Sequence, residues 1–474
     1  MISIPVRGVV AMRLIFVHGW SVTNTNTYGQ LPQALSNSAA AYGLDLEIQH
    51  VYLGRYISFH DEVTMDDICR AMDKALHDLP GNDDTNITPF SCITHSTGGP
   101  VVRSWVDRFY GADGLNNCPL RHLVMLAPAN HGSTLAVLGK ARVGRIKSWF
   151  HGVEPGQQVL DWLCLGSHGQ WRLNERYLQY DYSNHSFYPF VLTGQGIDNK
   201  FYDFINSYLV EKGSDGVVRV AGANMNYRYF SLVQSTEEAI RKSPLTYKLV
   251  PQGDARVSKH VPLGVYTHYS HSGDKMGIMK SIKADDTDSA VVSDILKCFQ
   301  VNSFENYISR SNELKKLSEI EQKPDATYCM LVFNIKDDQG NQVGQDDYDL
   351  FLLAGNAFRP QQLPKGFFMD RQMNSRTGRL IYYLNAEKMS EIKDGKFGLR
   401  IVARPSSGFA YYCAAEFRSD GIVAQGVLVP NETTYIDITL HRFVDKNVFR
   451  LDPAINGDKD FKKIKPSGES LSSG

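Results

Sequence analysis

Residues 89–111, Pro-Phe-Ser-Cys-Ile-Thr-His-Ser-Thr-Gly-Gly-Pro-Val-Val-Arg-Ser-Trp-Val-Asp-Arg-Phe-Tyr-Gly, constrain the fold more than any other stretch of the chain. An apolar run ends at Ile93, and a short turn containing Ser96 follows. Then Val101, Val102, Trp105, Val106 and Phe109 recur at spacings of three and four, and Gly111 can stop the helix they define. The pattern predicts a strand, a tight turn and a helix with a serine at the apex. A hydroxyl there is exposed, and the helix N-terminus behind it favours developing negative charge. Small residues are needed where strand and helix nearly touch, and Gly98 and Gly99 supply them.

The flanking chain repeats the strand–helix alternation. Arg13–Val17 reads as a buried parallel strand running into the turn His18-Gly19-Trp20. Leu46–Leu53 is the next strand. Thr64 caps a helix, with Asp67 three residues on and Met65, Ile68, Met72, Leu76 and Leu79 as its buried stripe. Leu123–Ala127 is the strand after the serine, ending in Pro128-Ala-Asn-His131-Gly132-Ser133, and Tyr188–Thr193 is another. Such an order predicts a doubly wound, mostly parallel sheet.

Thr94-His95-Ser96-Thr97-Gly98 resembles the G-x-S-x-G nucleophile elbow of the α/β-hydrolase superfamily, with Thr94 in place of the first glycine. The resemblance extends over residues 12–300 and is nearest the lipase-like branch. It implies Ser96 as nucleophile, with an oxyanion hole built from the amide of Trp20, or its neighbour Ser21, and that of Thr97. Gly213-Ser-Asp215-Gly-Val-Val resembles the turn whose aspartate orients the catalytic histidine in bacterial lipases, so Asp215 is the expected acid, with Asp198 and Asp203 as alternatives. The histidine should follow the last strand, near Tyr266. The resemblance implies His271, with His268 and then His260 as alternatives. His131 comes too early in the chain for that role and reads as structural or site-lining. His18 and His95, beside the two turns, are expected near the substrate.

Residues 134–186 lose clear periodicity and hold three of the five tryptophans, Trp149, Trp162 and Trp171. This reads as a lid, with Trp149 and Trp162 meeting acyl chains or a membrane interface. Residues 302–326 are charged and read as a helix and linker. From Thr327 the periodicity changes to two, in Tyr328–Phe333, Tyr348–Leu353, Leu380–Leu384, Phe397–Val402, Phe409–Ala414 and Thr434–Leu440, which predicts an antiparallel β-sandwich. The expected organisation is a catalytic domain over 1–301, a linker over 302–326, a β-domain over 327–451 and a disordered tail over 452–474. The β-domain carries no catalytic constellation, so it is expected to affect where the enzyme acts rather than acyl transfer itself. Asp337, Asp338, Asp346, Asp347 and Asp349 raise a Ca²⁺ loop as an alternative to solvated hairpin tips.

Composition narrows the function. A net charge of −1 gives no field for nucleic acid. The seven cysteines, at 69, 92, 118, 164, 298, 329 and 413, form no C-x-x-C pair, so neither a zinc nor a redox motif is present. No run of eighteen apolar residues and no Sec-type signal is evident, which predicts a soluble protein, cytoplasmic or secreted by another route. The resemblance implies a serine-dependent lipase or phospholipase needing no cofactor and acting on lipid at a membrane surface. It also admits an antibacterial or host-directed effector toxin with an immunity partner. The alternatives are an esterase or thioesterase of soluble substrates and a non-catalytic binding protein on the same fold.

Overall fold

The computed structural model describes residues 10–18, 26–137, 156–197, 211–344, 346–392, 395–404, 410–419 and 427–444. Its first half is built on a six-stranded sheet, every pairing of which is parallel. The strands are β1 (Val10–His18), β2 (Leu44–Tyr52), β3 (Phe90–His95), β4 (Leu120–Leu126), β5 (Tyr188–Gly194) and β9 (Leu263–Tyr266), in the order β2-β1-β3-β4-β5-β9. β3 and β5 are buried at every position, as central strands covered on both faces require. Helices α1 (Leu31–Ala39), α2 (Met65–His77) and α3 (Gly98–Phe109) cross the sheet. Thr64 and Asp67 form the full capping box at the start of α2, where such caps contribute about 1 kcal/mol. Met65, Ile68, Met72 and Leu76 form its buried stripe.

The second half is a continuous mixed sheet. Its strands are β6 (Tyr227–Lys242), β7 (Leu245–Pro251), β8 (Arg256–Val257), β10 (Tyr328–Asp337), β11 (Tyr348–Ala354), β12 (Phe368–Met373), β13 (Leu380–Asn385), β14 (Phe397–Ala403), β16 (Ala414–Arg418) and β17 (Thr433–Leu440). The path runs β11-β14-β16-β7-β6-β17-β10-β13-β12, with β8 beside β6, and a separate pair joins β15 (Ala410–Tyr411) to β18 (Phe443–Val444). Three of the pairings, β10–β17, β17–β6 and β16–β7, are parallel. The expected β-domain is therefore built as one mixed sheet rather than two antiparallel layers. Strands from both ends of the path share one apolar cluster, so the sheet curls over it.

Side-chain alternation splits the curled sheet between two cores. On β10, Met330 and Val332 join the core of the parallel sheet, whereas Cys329, Leu331, Phe333 and Ile335 join the curled sheet's own core. Tyr435 of β17 and Ile381 and Tyr383 of β13 also point into the first core. The two sheets thus share a buried boundary. The chain does not divide at one point either: the hairpin β6–β7 leaves the first half and forms the middle of the second sheet. Residues 302–326 hold the nineteen-residue helix Phe304–Gln322, packed on β9. Its Tyr307 is fully buried and donates to the carbonyl of Pro189 at 2.8 Å.

Candidate active site

Ser96 occupies the turn between β3 and α3, and its φ of +54° lies in a region that side-chain-bearing residues rarely adopt. Such a turn is a strained one, and strain of this kind is held only where the surroundings over-determine it. The surroundings do so here. The Ser96 amide donates to Leu126 at 3.0 Å, and its carbonyl accepts from Ala129 at 3.3 Å. A Cβ on Gly99 would sit 2.7 Å from Cβ of Pro128, so helix and following loop touch at a glycine. Thr97 stands at the N-terminus of α3, where amides lack intrahelical partners and the helix dipole is positive.

His271 lies on the loop after β9, 2 % exposed, and brings the other elements together. Its Nδ1 faces Oδ2 of Asp215 at 2.8 Å, and its Nε2 faces Oγ of Ser96 at 2.9 Å. The carboxylate can only accept, so the imidazole proton sits on Nδ1 and Nε2 is left to accept from the serine hydroxyl. The His271 amide also donates to the Asp215 carbonyl at 3.0 Å, so one residue holds both ends of the histidine. Asp215 is fully buried. Its Oδ1 accepts from the amides of Val217 and Val218 at 2.9 and 2.8 Å, which satisfies the oxygen that His271 does not use. The resulting chain, Ser96–His271–Asp215, can move a proton from a hydroxyl to an imidazole and stabilise the imidazolium formed.

Beside it, His95 donates from Nε2 to the His271 carbonyl at 2.9 Å, and the two rings lie 4.6 Å apart. His95 therefore supports the histidine loop. His18, at the end of β1, is buried, with Nε2 2.9 Å from Nδ1 of His50. Burial, and then the neighbouring His50, lower its pKa to about 3, so it is neutral.

The rival histidines are engaged elsewhere. His268 is more than half exposed, with Nδ1 3.5 Å from Glu321. His260 bonds Ser311. His131 is buried with both ring nitrogens engaged: its Nε2 donates to the Asn224 carbonyl at 2.7 Å, and its Nδ1 accepts from the Tyr435 hydroxyl at 2.7 Å. Burial, and then Arg103, bring its pKa down to about 3.

Of the lid residues, Trp162 lies on the helix Gln157–Leu163 and lines a cavity of about 410 Å³ with His168, Met373 and Arg376. Neither Ser96 nor His271 lines that cavity, so it joins the helices to the curled sheet rather than to the serine. Trp20, Trp149, Asp198 and Asp203 lie outside the described residues. In the acidic hairpin, the Asp337 carboxylate accepts from Asn341, Gln339 and Tyr412, while Asp349 pairs with Arg404. Among the described residues, no group of three histidines, cysteines or carboxylates is placed to hold a metal ion.

One buried arginine is absent from any sequence motif. Arg219, four residues past Asp215, is fully buried and pairs with Glu211 and with Asp370 of β12. A lone arginine after an Asp-Gly turn gives no signal of this, because Asp370 lies about 150 residues away in the chain.

A parallel sheet with a strained serine turn, a histidine after its last strand and a buried aspartate between them defines a serine hydrolase of the α/β-hydrolase fold. No protein-family model matches the sequence, and no curated protein matches it. Among solved structures, phospholipase PlaB from Legionella pneumophila shares 42 % identity, with 98 % of this chain and 99 % of that one covered and a TM-score of 0.85. The same phospholipase in complex with thio-NAD shares 41 % identity over 94 % and 97 % of the two chains, at a TM-score of 0.81. The chain belongs to the PlaB family.

Proposed function

We propose that this protein is a phospholipase that cleaves carboxylic esters of phospholipids through Ser96, His271 and Asp215. The observation that carries the reading is the unbroken hydrogen-bonded chain from Ser96 through His271 to Asp215. It is supported by membership of a family whose named member is a phospholipase.

Ser96 Oγ attacks the ester carbonyl while His271 Nε2 takes its proton. Asp215 stabilises the imidazolium. The Thr97 amide, at the N-terminus of α3, faces the developing oxyanion, with Trp20 as its expected partner. His271 then protonates the leaving alcohol, and water releases the acyl group from Ser96 by the same route in reverse. No step requires a metal or an organic cofactor. The named relative binds thio-NAD, and the acyl transfer described here has no redox step for such a molecule to serve. Among the described residues no helix is long and apolar enough to cross a membrane. Export as an effector and recognition by an immunity partner rest on the sequence-level resemblance alone.

The test is hydrolysis of phospholipid vesicles beside a soluble short-chain ester, for wild type and Ser96→Ala. Fatty-acid release from vesicles that is lost in Ser96→Ala supports the reading. Hydrolysis of the soluble ester alone would make the protein an esterase, and wild-type rates in Ser96→Ala would remove the mechanism.

A further inference from the structure

The turn that presents Asp215 is gripped from the second sheet. Residues 213–220 close on themselves, with Asp215 donating to Val218 at 3.1 Å and Val220 to Gly213 at 2.9 Å. At the base of this turn Gly213 has φ +77°, and a Cβ there would lie 2.3 Å from the Tyr328 ring and 2.4 Å from the Tyr383 hydroxyl. Strands β10 and β13 therefore press on the turn where only glycine fits. The Tyr383 hydroxyl donates to the carbonyl of Lys212 at 2.9 Å.

Arg219, on the returning limb, ties the same base together. Its Nε donates to Glu211 at 2.8 Å and its Nη2 to Asp370 at 2.7 Å, and its guanidinium lies 4.1 Å over the Tyr383 ring. Burial opposes its charge, but Glu211, Tyr383 and Asp370 outweigh that and hold it firmly protonated. The fork geometry fixes direction as well as charge.

We infer that Arg219 is a positioning residue, through which Asp370 and Tyr383 of the second sheet hold the turn that aims Asp215 at His271. The inference rests on the reading of Ser96, His271 and Asp215 as the triad. Because Asp215 bonds both Nδ1 and the main-chain amide of His271, a tilt of the turn moves the imidazole relative to Ser96. The second sheet then takes part in acyl transfer, contrary to its expected role of acting only on location.

The experiment uses the full-length protein and a soluble p-nitrophenyl ester, which removes lipid binding from the readout. Arg219→Lys keeps the charge but loses the fork, Asp370→Asn removes the negative charge that pairs with Arg219, and Tyr383→Phe removes the hydroxyl that holds the Lys212 carbonyl. The expected result is a kcat lower by about 10- to 100-fold for Arg219→Lys and about 10-fold for Asp370→Asn, with KM within twofold. The acid limb of the pH profile should move to lower pH, because a misaligned carboxylate stabilises the imidazolium less. Asp370→Glu should recover part of the loss. Arg400→Gln, which breaks an ion pair with Glu416 elsewhere in the same sheet, should lower Tm and leave kcat and the pH profile unchanged. If Arg219→Lys does not fold, Asp370→Asn and Tyr383→Phe decide the matter. Lower Tm with wild-type kcat and pH profile in these variants would overturn the inference. Fluorophosphonate labelling of wild-type Ser96 separates the two claims: no label sinks the triad reading, whereas normal label with unaffected variants sinks only the role of Arg219.

Discussion

The turn carrying Ser96 and the turn carrying Asp215 meet at His271 but are held in different ways. The Ser96 turn is fixed from within the parallel sheet, by Leu126 and Ala129 on the neighbouring strand and loop and by the contact at Gly99. The Asp215 turn has support from both sheets. Ser133, just past β4, donates to Val217 at 2.7 Å from one side, while Tyr328, Asp370 and Tyr383 hold it from the other. A nucleophile can be positioned by sequence-local geometry, since strand, turn and helix are contiguous. Asp215 stands outside any such contiguous unit, and the curled sheet forms a wall against its turn.

The largest effect should come from showing that the two turns act as a unit. Ser96→Ala and His271→Ala should each lower kcat by roughly 10⁴-fold or more, and the double variant should be little worse than either. Additive losses would break the picture of one coupled site.

A smaller effect separates the turns by their supports. Gly99→Ala places a methyl group against Pro128, so it should cost about 1–3 kcal/mol and reduce activity together with stability. Urea unfolding monitored with esterase activity would check this, and an unchanged midpoint would show that the helix has room to shift.

His131 links the loop after β4 to Tyr435 of the second sheet, and it sharpens the comparison through pH. In the folded protein its pKa is lowered to about 3, whereas an unfolded histidine titrates near 6.5. The unfolded chain therefore binds the extra proton. Stability should fall as pH drops below about 6.5 and continue falling towards about 3, at up to about 1.4 kcal/mol per pH unit for this group. His131→Asn should be less stable at pH 7.5 and show a flatter decline, read from unfolding midpoints at pH 7.5 and 5. An identical slope in the variant would mean that other groups carry the dependence.

The smallest expected effect lies at the far flank of the Asp215 segment. Thr433 Oγ1 donates to the Ala221 carbonyl at 2.8 Å, and Thr433→Val should cost about 1 kcal/mol with kcat reduced less than fivefold. A loss of kcat as large as that expected for Arg219→Lys would mean that the whole interface, rather than the Arg219 cluster, positions the acid.

The sequence showed the catalytic half well because its signals are local. The apolar run into Ser96, the capping box at Thr64 and the Asp-Gly turn each depend on neighbours a few residues away. Other parts depended on distant partners. The hairpin Tyr227–Pro251 alternates as any strand pair would, and nothing in it states that its partners are β17 and β16, about 170–205 residues on. Residues 302–326 read as a helix and linker, but the buried face of helix Phe304–Gln322 is hidden because it is partly polar: Tyr307, Arg310, Ser311, Leu314, Ser318 and Gln322. Arg310 meets Asp294 at 2.6 Å, and Ser318 accepts from Val265 at 2.9 Å, so burial there is satisfied by hydrogen bonds that a hydrophobic period cannot reveal. In the sequence, only chain order and the resemblance to a family pattern favour His271 over His268. The structure separates them by exposure, with His271 enclosed beside Asp215 and His268 facing solvent.

The central claim is that Ser96 is made nucleophilic by a histidine that Asp215 holds. It is tested most directly by locating a fluorophosphonate adduct by peptide mass spectrometry in wild type, Ser96→Ala and His271→Ala proteins. The account predicts one adduct, on the peptide carrying Ser96, absent from Ser96→Ala and formed far more slowly in His271→Ala. An adduct on another residue, or labelling of Ser96 at the wild-type rate without His271, would contradict it.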